Sequence, residues 1–447
     1  MGLEEAVVRP PEIDGVRSAH LIGICGTAMT PLATILLQMG VGHRAEHVGD
    51  VAVVIASSAI RQDNPEIVAA LAQGIPVIKH SAALGSLMRP RRGVAIAGTH
   101  GKTTTSALAS FVLANAGIDI SFHVGSEILN YGVFGRYGRS ELLVAEADEY
   151  DRRFLDYEPE IAIVTGVEPD HLDYFGSFHE VVGAFRAFLG QVRPNGLSVI
   201  CQDDPVARIL PTTAGLRMTY GFSEDADWQI SSWSPSGVSP GSRFELRGPD
   251  GAVHELEIGL VGRHNVLNAA GVVAVCTHLG LSMDQIARGL REFRGTRRRF
   301  ELIGVHDGVT VVDDYAHHPT AIRVTLEGAR AHFPGGIWCI FQPHTAHRTE
   351  SLFDDFCTAF AEADHVILTP TYRPAGREDR TDDPSVKRLA EAMRHPDARL
   401  MAPDEAMKTI LCEARYGDLV LVAGAGDITS IAPRIVSALR QGRPHES

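Results

Sequence analysis

The chain has 447 residues, 45% of them hydrophobic and 21% charged, with a formal net charge of −14. At roughly 100–200 residues per domain this length points to about three domains, each with enough chain to bury a core. Ordinary charge content and a mean hydropathy near zero argue against a mainly disordered protein, and 55 acids against 41 bases argue against a nucleic-acid partner.

At the N-terminus, Met1–Asp14 carries acids and prolines where a secretory signal would place bases and then an apolar run. No uninterrupted apolar stretch reaches the roughly 20 residues of a membrane span. A cytoplasmic protein without membrane insertion is therefore expected. Cys25, Cys201, Cys276, Cys339, Cys357 and Cys412 lie far apart, and read as buried thiols of a reducing compartment.

Along the chain, short β-branched runs alternate with stretches of helical period. They include Val51–Ala56, Val94–Ala97, Leu142–Ala145, Ile161–Thr165, Val309–Val312, Ile337–Phe341, His365–Leu368 and Leu419–Val422. Continuous apolar runs are the mark of strands covered on both faces, so the predicted class is α/β with parallel sheets. Ala214–Glu257 differs: rich in Ser, Gly and Pro, with alternating pieces at Trp228–Trp233 and Arg243–Arg247, it reads as a small antiparallel sheet within the middle domain. Pro90-Arg91-Arg92-Gly93 and the basic turn Gly295–Arg299 suggest boundaries, giving expected domains of 1–90, 91–295 and 296–447.

The strongest local signal is a strand, Val94–Ala97, running into Gly98-Thr99-His100-Gly101-Lys102-Thr103-Thr104. Backbone N–H groups of such a turn, with the positive end of the following helix, make an anion site. Lys102 would neutralise the β- and γ-phosphates and the Thr103 hydroxyl would ligate Mg²⁺. The full G-x-x-x-x-G-K-[ST] pattern needs glycine at position 96, where this chain has Ile96, so the loop is a shortened variant.

Two later strands also end in acids. Leu142–Ala145 leads into Glu146-Ala147-Asp148-Glu149-Tyr150-Asp151, and Ile161–Thr165 into Glu168-Pro169-Asp170-His171. Each run alone reads more readily as a solvated loop. Together, after successive strands and downstream of one phosphate loop, they point to hard oxygen ligands for a nucleotide's Mg²⁺. Asn265 and Asn268, three apart, share a helical face; such amides suit a purine or ribose, and for Asn265 alone a helix cap is the simpler reading. In the last third, Asp313–Pro319, Phe341–Thr349 and Gly424–Asp427 each follow an apolar strand, as crevice-lining loops or as ordinary loop composition. Zinc-ligand spacing is absent, and the G-x-S-x-G match at Gly237–Gly241, in a Ser/Gly/Pro-rich stretch, lacks the strand-to-helix setting of a nucleophile elbow.

Assembled in this order, Gly98–Thr104, Glu146–Glu149, Asp170-His171, Gly262–Asn268, Arg298-Arg299-Phe300 and Asp313–Pro319 resemble the Mur ligases, the ATP-dependent amide-forming family of peptidoglycan assembly. The resemblance covers nearly the whole chain. It implies three domains: an N-terminal Rossmann-like one for the UDP-sugar, a central P-loop ATPase, and a C-terminal Rossmann-like one. It also implies a monomer or homodimer that uses ATP and Mg²⁺ to activate a sugar carboxylate as an acyl phosphate. The branch that joins L-alanine to UDP-N-acetylmuramate is most similar, through Ser57–Ile60, Tyr220–Asp227 and Phe341–His344. Cys25-Gly26-Thr27, Arg297–Arg299 and His317–Ala321 resemble instead the branch that attaches a recycled tripeptide, and a non-catalytic ATP-binding relative is the third possibility.

Carried over by position, the resemblance assigns Gly98, Thr99, His100, Gly101, Lys102, Thr103 and Thr104 to ATP, with Asn265 and Asn268 at the adenine. Thr103, Glu146 and His171 would serve the metal, and Lys102, Glu146, His171 and Arg299 the catalysis. Arg299 and Asp314 would reach the nucleotide, while Tyr315, His317, His318 and Arg348 would lie towards the amino acid. Three departures stand out. The N-terminal loop Gly23–Pro31 has few glycines. Leu37–Gly40 runs directly into Val41–Gly49, without the strand, turn and helix that help the family hold UDP. Gly166 replaces an asparagine.

Overall fold

The computed structural model describes residues 19–22, 51–57, 63–212, 215–237, 240–372 and 385–441. The glycine loop at Gly23–Pro31, Cys25 and the shortened segment after Gly40 lie outside the described residues.

The apolar runs form strands in three sheets. The first sheet is β1 (Ala19–Ile22), β2 (Val53–Ala56) and β3 (Val77–Lys79), in that order and parallel throughout. The second has ten strands: β4 (Arg92–Ala97), β5 (Ser121–Ile128), β6 (Val133–Arg136), β7 (Leu142–Glu146), β8 (Ile161–Val164), β9 (Leu197–Cys201), β10 (Leu216–Gly221), β11 (Trp228–Pro235), β12 (Ser242–Arg247) and β13 (Val253–Ile258). Their spatial order is 13-12-11-10-9-8-4-7-5-6. The third contains β14 (Glu301–His306), β15 (Val309–Asp314), β16 (Ile337–Phe341), β17 (His365–Leu368), β18 (Ala398–Leu400) and β19 (Leu419–Ala423), ordered 14-15-19-16-17-18.

Among the described residues, the helices of eight or more residues are α1 (Pro65–Ala72), α2 (His80–Met88), α3 (Lys102–Asn115), α4 (Phe178–Gly190), α5 (Arg263–His278), α6 (Met283–Glu292), α7 (Pro319–His332), α8 (Ser385–Ala392), α9 (Pro403–Glu413) and α10 (Ile431–Gln441). Local chemistry sets several of their starts. Asn64 caps α1, with Pro65 in its first turn, and Ser282 and Gln285 form a reciprocal capping box on α6.

The chain divides into two units. One draws on Met1–Ser232, Phe244–Ile258 and Leu267–Arg294, the other on Trp233–Arg243, Gly259–Val266 and Gly295–Ser447. In the first, Ala95, Ala97, Leu143, Ala145, Ala162 and Val164 of the central strands bury one sheet face against α2, α4 and Phe154. Phe154 is stacked on Phe188 at 4.9 Å and meets Phe185 edge-on at 5.3 Å. Phe188→Ala would empty the centre of this aromatic cluster, and a urea titration should show a loss of about 3–5 kcal/mol.

In the second unit, successive residues of one strand face opposite cores. Val312, Cys339 and Phe341 join Ile322, Leu326 and Phe360, whereas Val311, Trp338 and Ile340 join Ile410, Ile431 and Ile435. This double burial is why those strands read as unbroken apolar runs. Only β14, at the edge, pairs antiparallel, with β15.

Two expectations need adjusting. The strands of 214–257 join the edge of the ten-stranded sheet, with β10 parallel to both β9 and β11. Their alternating pattern marks half-exposed strands of that sheet, as in β12, where buried and less buried residues alternate. The cysteines are also not all buried. Cys201, Cys276, Cys339 and Cys357 are, whereas Cys412 on the outer side of α9 is exposed.

Candidate functional site

In the first unit, β4 delivers the chain into the glycine loop, and two glycines make the turn possible. Gly98 has φ +142°, and a Cβ there would stand 1.9 Å from Thr165 Oγ1. Gly101, at φ +81°, caps α3, and a Cβ there would stand 2.7 Å from Asn268 Oδ1. The loop is stapled to the exit of β8: Thr99 N–H donates to Gly166 O at 2.9 Å, Glu168 N–H to Thr99 Oγ1 at 2.9 Å, and the Thr165 hydroxyl to His100 O at 2.5 Å. His100 Nε2 lies 3.6 Å from Glu168 Oε2.

Lys102, first residue of α3, folds its side chain back over the loop. Its ammonium donates to Gly98 O at 2.5 Å and to the Glu149 carboxylate at 2.7 Å. Glu149 is buried and Lys102 partly buried in this ion pair. Burial opposes the charge on Lys102, but the surrounding carboxylates, Glu149 first, outweigh it and raise the ammonium's pKa. Burial pushes the Glu149 carboxyl up to about 7 against the pull of Lys102.

Thr103 and Glu146 come together. The Thr103 hydroxyl donates to Glu146 Oε1 at 2.9 Å, and Gly125 N–H donates to Oε2 at 2.7 Å. A hydroxyl beside a carboxylate, next to a phosphate loop, is the hard-oxygen donor set that suits Mg²⁺, which keeps water and phosphate as its other ligands. His171 stands beyond β8, at φ +53° and at the start of a one-turn helix, with its ring 4.9 Å from that of Tyr150.

Asn268 is buried and faces Gly101. A cavity of about 300 Å³ opens beside the loop between Thr99, His100, Gly166, Asp203, Asp204 and Leu267. Gly166 contributes to this opening, since a Cβ there would approach Asp204 Oδ2 to 3.1 Å.

The sequence reading passed over Glu149 and the pair Asp203 and Asp204. Asp203 accepts from Phe222 and Ser223 N–H, and Asp204 from Val206 and Ala207 N–H, so these two hold loops in place. The available signal for Glu149 was its place in a run of acids after a strand. Which acid of such a run turns inward depends on the path of the loop.

The second unit has its own cluster at the carboxyl ends of its strands. Arg298 and Arg299 each place a guanidinium 5.0 Å from the Tyr315 ring centre. Arg298 also donates to Gly424 O at 2.5 Å. Asp314 is buried, and both its oxygens accept backbone donors, Phe300 N–H at 2.7 Å and Ala316 N–H at 2.6 Å. Its place in this structure is thus that of an anchor for the strained turn, where Arg298 and Phe300 both have positive φ. Burial raises its pKa.

His317 packs against Tyr315 and His344, and His344 against Tyr372. His318 caps α7 through Thr320 N–H, and Arg348 N–H is capped by Thr345 in a short helix. Asn265, in the first turn of α5, donates its amide to Val261 O at 2.8 Å.

His264 supplies a pH-dependent prediction. Burial holds its imidazole at about 4, whereas an unfolded chain takes up that proton near pH 6.5. The unfolded state therefore binds more protons between these values. The stability from this group is complete above about pH 6.5 and is lost as pH falls towards 4. Urea midpoints measured from pH 7 down to 5 should fall less steeply in His264→Gln than in the parent.

Models of known families match in three places: the Mur ligase middle domain at residues 96–276, the Mur ligase glutamate ligase domain at 298–426, and the Mur ligase family catalytic domain at 40–92. A curated UDP-N-acetylmuramate–L-alanine ligase of Anaeromyxobacter sp. is 39% identical, over 94% of this chain and 97% of that one. A second, from Paenarthrobacter aurescens, is 39% identical over 96% and 98%. The crystal structure of the UDP-N-acetylmuramate-alanine ligase of Thermotoga maritima matches with a TM-score of 0.76 at 25% identity, covering 95% of this chain and 99% of that one. A murein peptide ligase from Psychrobacter arcticus shares the fold, with a TM-score of 0.67 at 24% identity over 95% and 98%.

Proposed function

This chain belongs to the Mur ligase family, and from that premise we propose that it joins L-alanine to UDP-N-acetylmuramate in the cytoplasm, consuming ATP. The observation that carries the reading is likeness over nearly the full length to relatives of that name, in a chain whose phosphate loop is formed.

In the first step the lactyl carboxylate of the sugar attacks the γ-phosphorus of ATP. A carboxyl C–O–P bond forms, the β,γ-bridge breaks and ADP leaves. In the second, the amine of L-alanine attacks the acyl carbon, an amide forms and inorganic phosphate departs. Negative charge grows on phosphoryl oxygens first and on the tetrahedral carbonyl oxygen next, so fixed cations and donors supply most of the acceleration.

Lys102 would turn its ammonium to the transferring phosphoryl group, and the N–H groups of Thr99–Thr104 would cradle the β-phosphate. Asn268, on the buried side of α5, would fix the nucleotide beside Gly101. Thr103 and Glu146, with His171, would hold Mg²⁺, which when bound offsets phosphate charge. In the second unit, Arg299 and Asp314 are assigned to the nucleotide, and Tyr315, His317, His318 and Arg348 to the amino acid, on family resemblance. One domain to each sheet, 1–90, 91–295 and 296–447, is the division this reading takes.

The test is phosphate release from ATP with UDP-N-acetylmuramate, with and without L-alanine. Release should depend on both. Stimulation only by the tripeptide would move the chain to the recycling branch. ATP binding without turnover across acceptors would make it a non-catalytic relative.

A further inference from the structure

The run Glu146–Glu149 carries three acids, and each has a separate task. Glu146 is held by Thr103 and Gly125. Asp148 pairs with Arg153 at 2.8 Å and accepts Tyr150 N–H at 3.1 Å. Glu149 turns the other way, into the loop, where Lys102 is its ion-pair partner at 2.7 Å. Its side chain is 3% exposed, against 38% for Asp148. Immediately afterwards Asp151 and Arg152 adopt consecutive left-handed conformations, at φ +57° and +52°. Salt bridges from Lys79 to Asp151 and from Arg152 to Glu180, each 2.9 Å, hold that turn. Such a conformation costs energy in non-glycine residues and persists only where surrounding contacts impose it. Here it begins two residues after Glu149, in a turn closed by Arg152 N–H to Glu149 O at 2.9 Å.

We propose that Glu149 is a positioning residue that competes with phosphate for Lys102: it holds the ammonium by an ion pair and yields it to the incoming nucleotide. This rests on the ligase reading of the loop. A buried ion pair that loses one partner leaves the other uncompensated, at considerable cost. When phosphate takes Lys102, the ammonium exchanges one anion for another and loses little, but Glu149 is left without its cation. That imbalance opposes nucleotide binding and favours release of the product ADP, so affinity is restrained by a residue that need never touch the ligand. Carbonyl contacts from Gly98 and Thr99 keep Nζ over the loop during the exchange.

Glu149→Gln keeps the size and an acceptor for Lys102 but deletes the opposing charge. By calorimetry without divalent cation, ADP should bind the full-length variant at least fivefold more tightly than the parent. KM for ATP should fall with it, while KM for the sugar acceptor stays within twofold. Added to Lys102→Met, the same substitution should leave ADP affinity unchanged, because the cation whose transfer is at issue is gone. Glu149→Asp, which keeps the charge but draws it back by one methylene, should tighten ADP by a smaller factor, and it carries the test if the glutamine variant does not fold. Unchanged or weaker ADP binding in the folded variant overturns the proposal, as does tightening that persists without Lys102. A parent protein that binds no ADP would overturn the ligase reading itself, and this inference with it.

Discussion

Lys102→Ala abolishes acceptor-dependent phosphate release, lowering kcat/KM by at least about 10²–10³-fold, the scale seen when one fixed stabiliser of developing charge is removed. The lysine is the ammonium that the structure places over the loop carbonyls, so backbone N–H groups alone would face the transferring phosphoryl. The substitution also strands Glu149. Left buried without its cation, Glu149 costs stability, which a urea titration reads separately from the loss of turnover. Far-UV circular dichroism should match the parent, while the phosphate-release trace stays at the no-acceptor baseline. Turnover within tenfold of the parent would remove Lys102 from the chemistry.

Gly98→Ala acts on the same loop by sterics. The new Cβ would stand 1.9 Å from Thr165 Oγ1 at a φ of +142°, so either the loop or the exit of β8 must move. The conformational strain and overpacking together come to about 2–4 kcal/mol. Thr165 also donates to His100 O, and displacing it loosens the staple that orients Thr99 and His100. Urea denaturation should show the destabilisation, and calorimetry should show ADP binding lost under conditions where the variant remains folded. An alanine variant with parental ADP affinity would mean that the loop rearranges on binding.

The phosphate loop and the Thr103–Glu146 pair were legible in the sequence because they depend on short-range order: a strand, a glycine turn and a helix start, then an acid at the end of a neighbouring strand. The apolar strands of the second unit were legible because burial on both faces leaves no room for alternation. Glu149 was not, since three acids within four residues look alike, and which of them meets Lys102 is a long-range contact. The attachment of 214–257 to the main sheet was hidden for a related reason. Pairing direction and neighbour are set by long-range hydrogen bonds such as those between β9 and β10, which leave no local pattern. Asp314 shows the converse: an acid at a strand end suggests a ligand contact, yet both of its oxygens serve the backbone of the adjoining turn.

The arrangement of the thiols has a practical consequence. Cys201, Cys276 and Cys339 are buried, and burial raises each thiol's pKa, which suppresses the reactive thiolate. Cys357 is buried too, and Cys412 on α9 is exposed. With Cys25 replaced by serine, a maleimide dye should couple at Cys412 at close to one equivalent per chain, giving an optical reporter in the second unit that leaves the phosphate loop untouched.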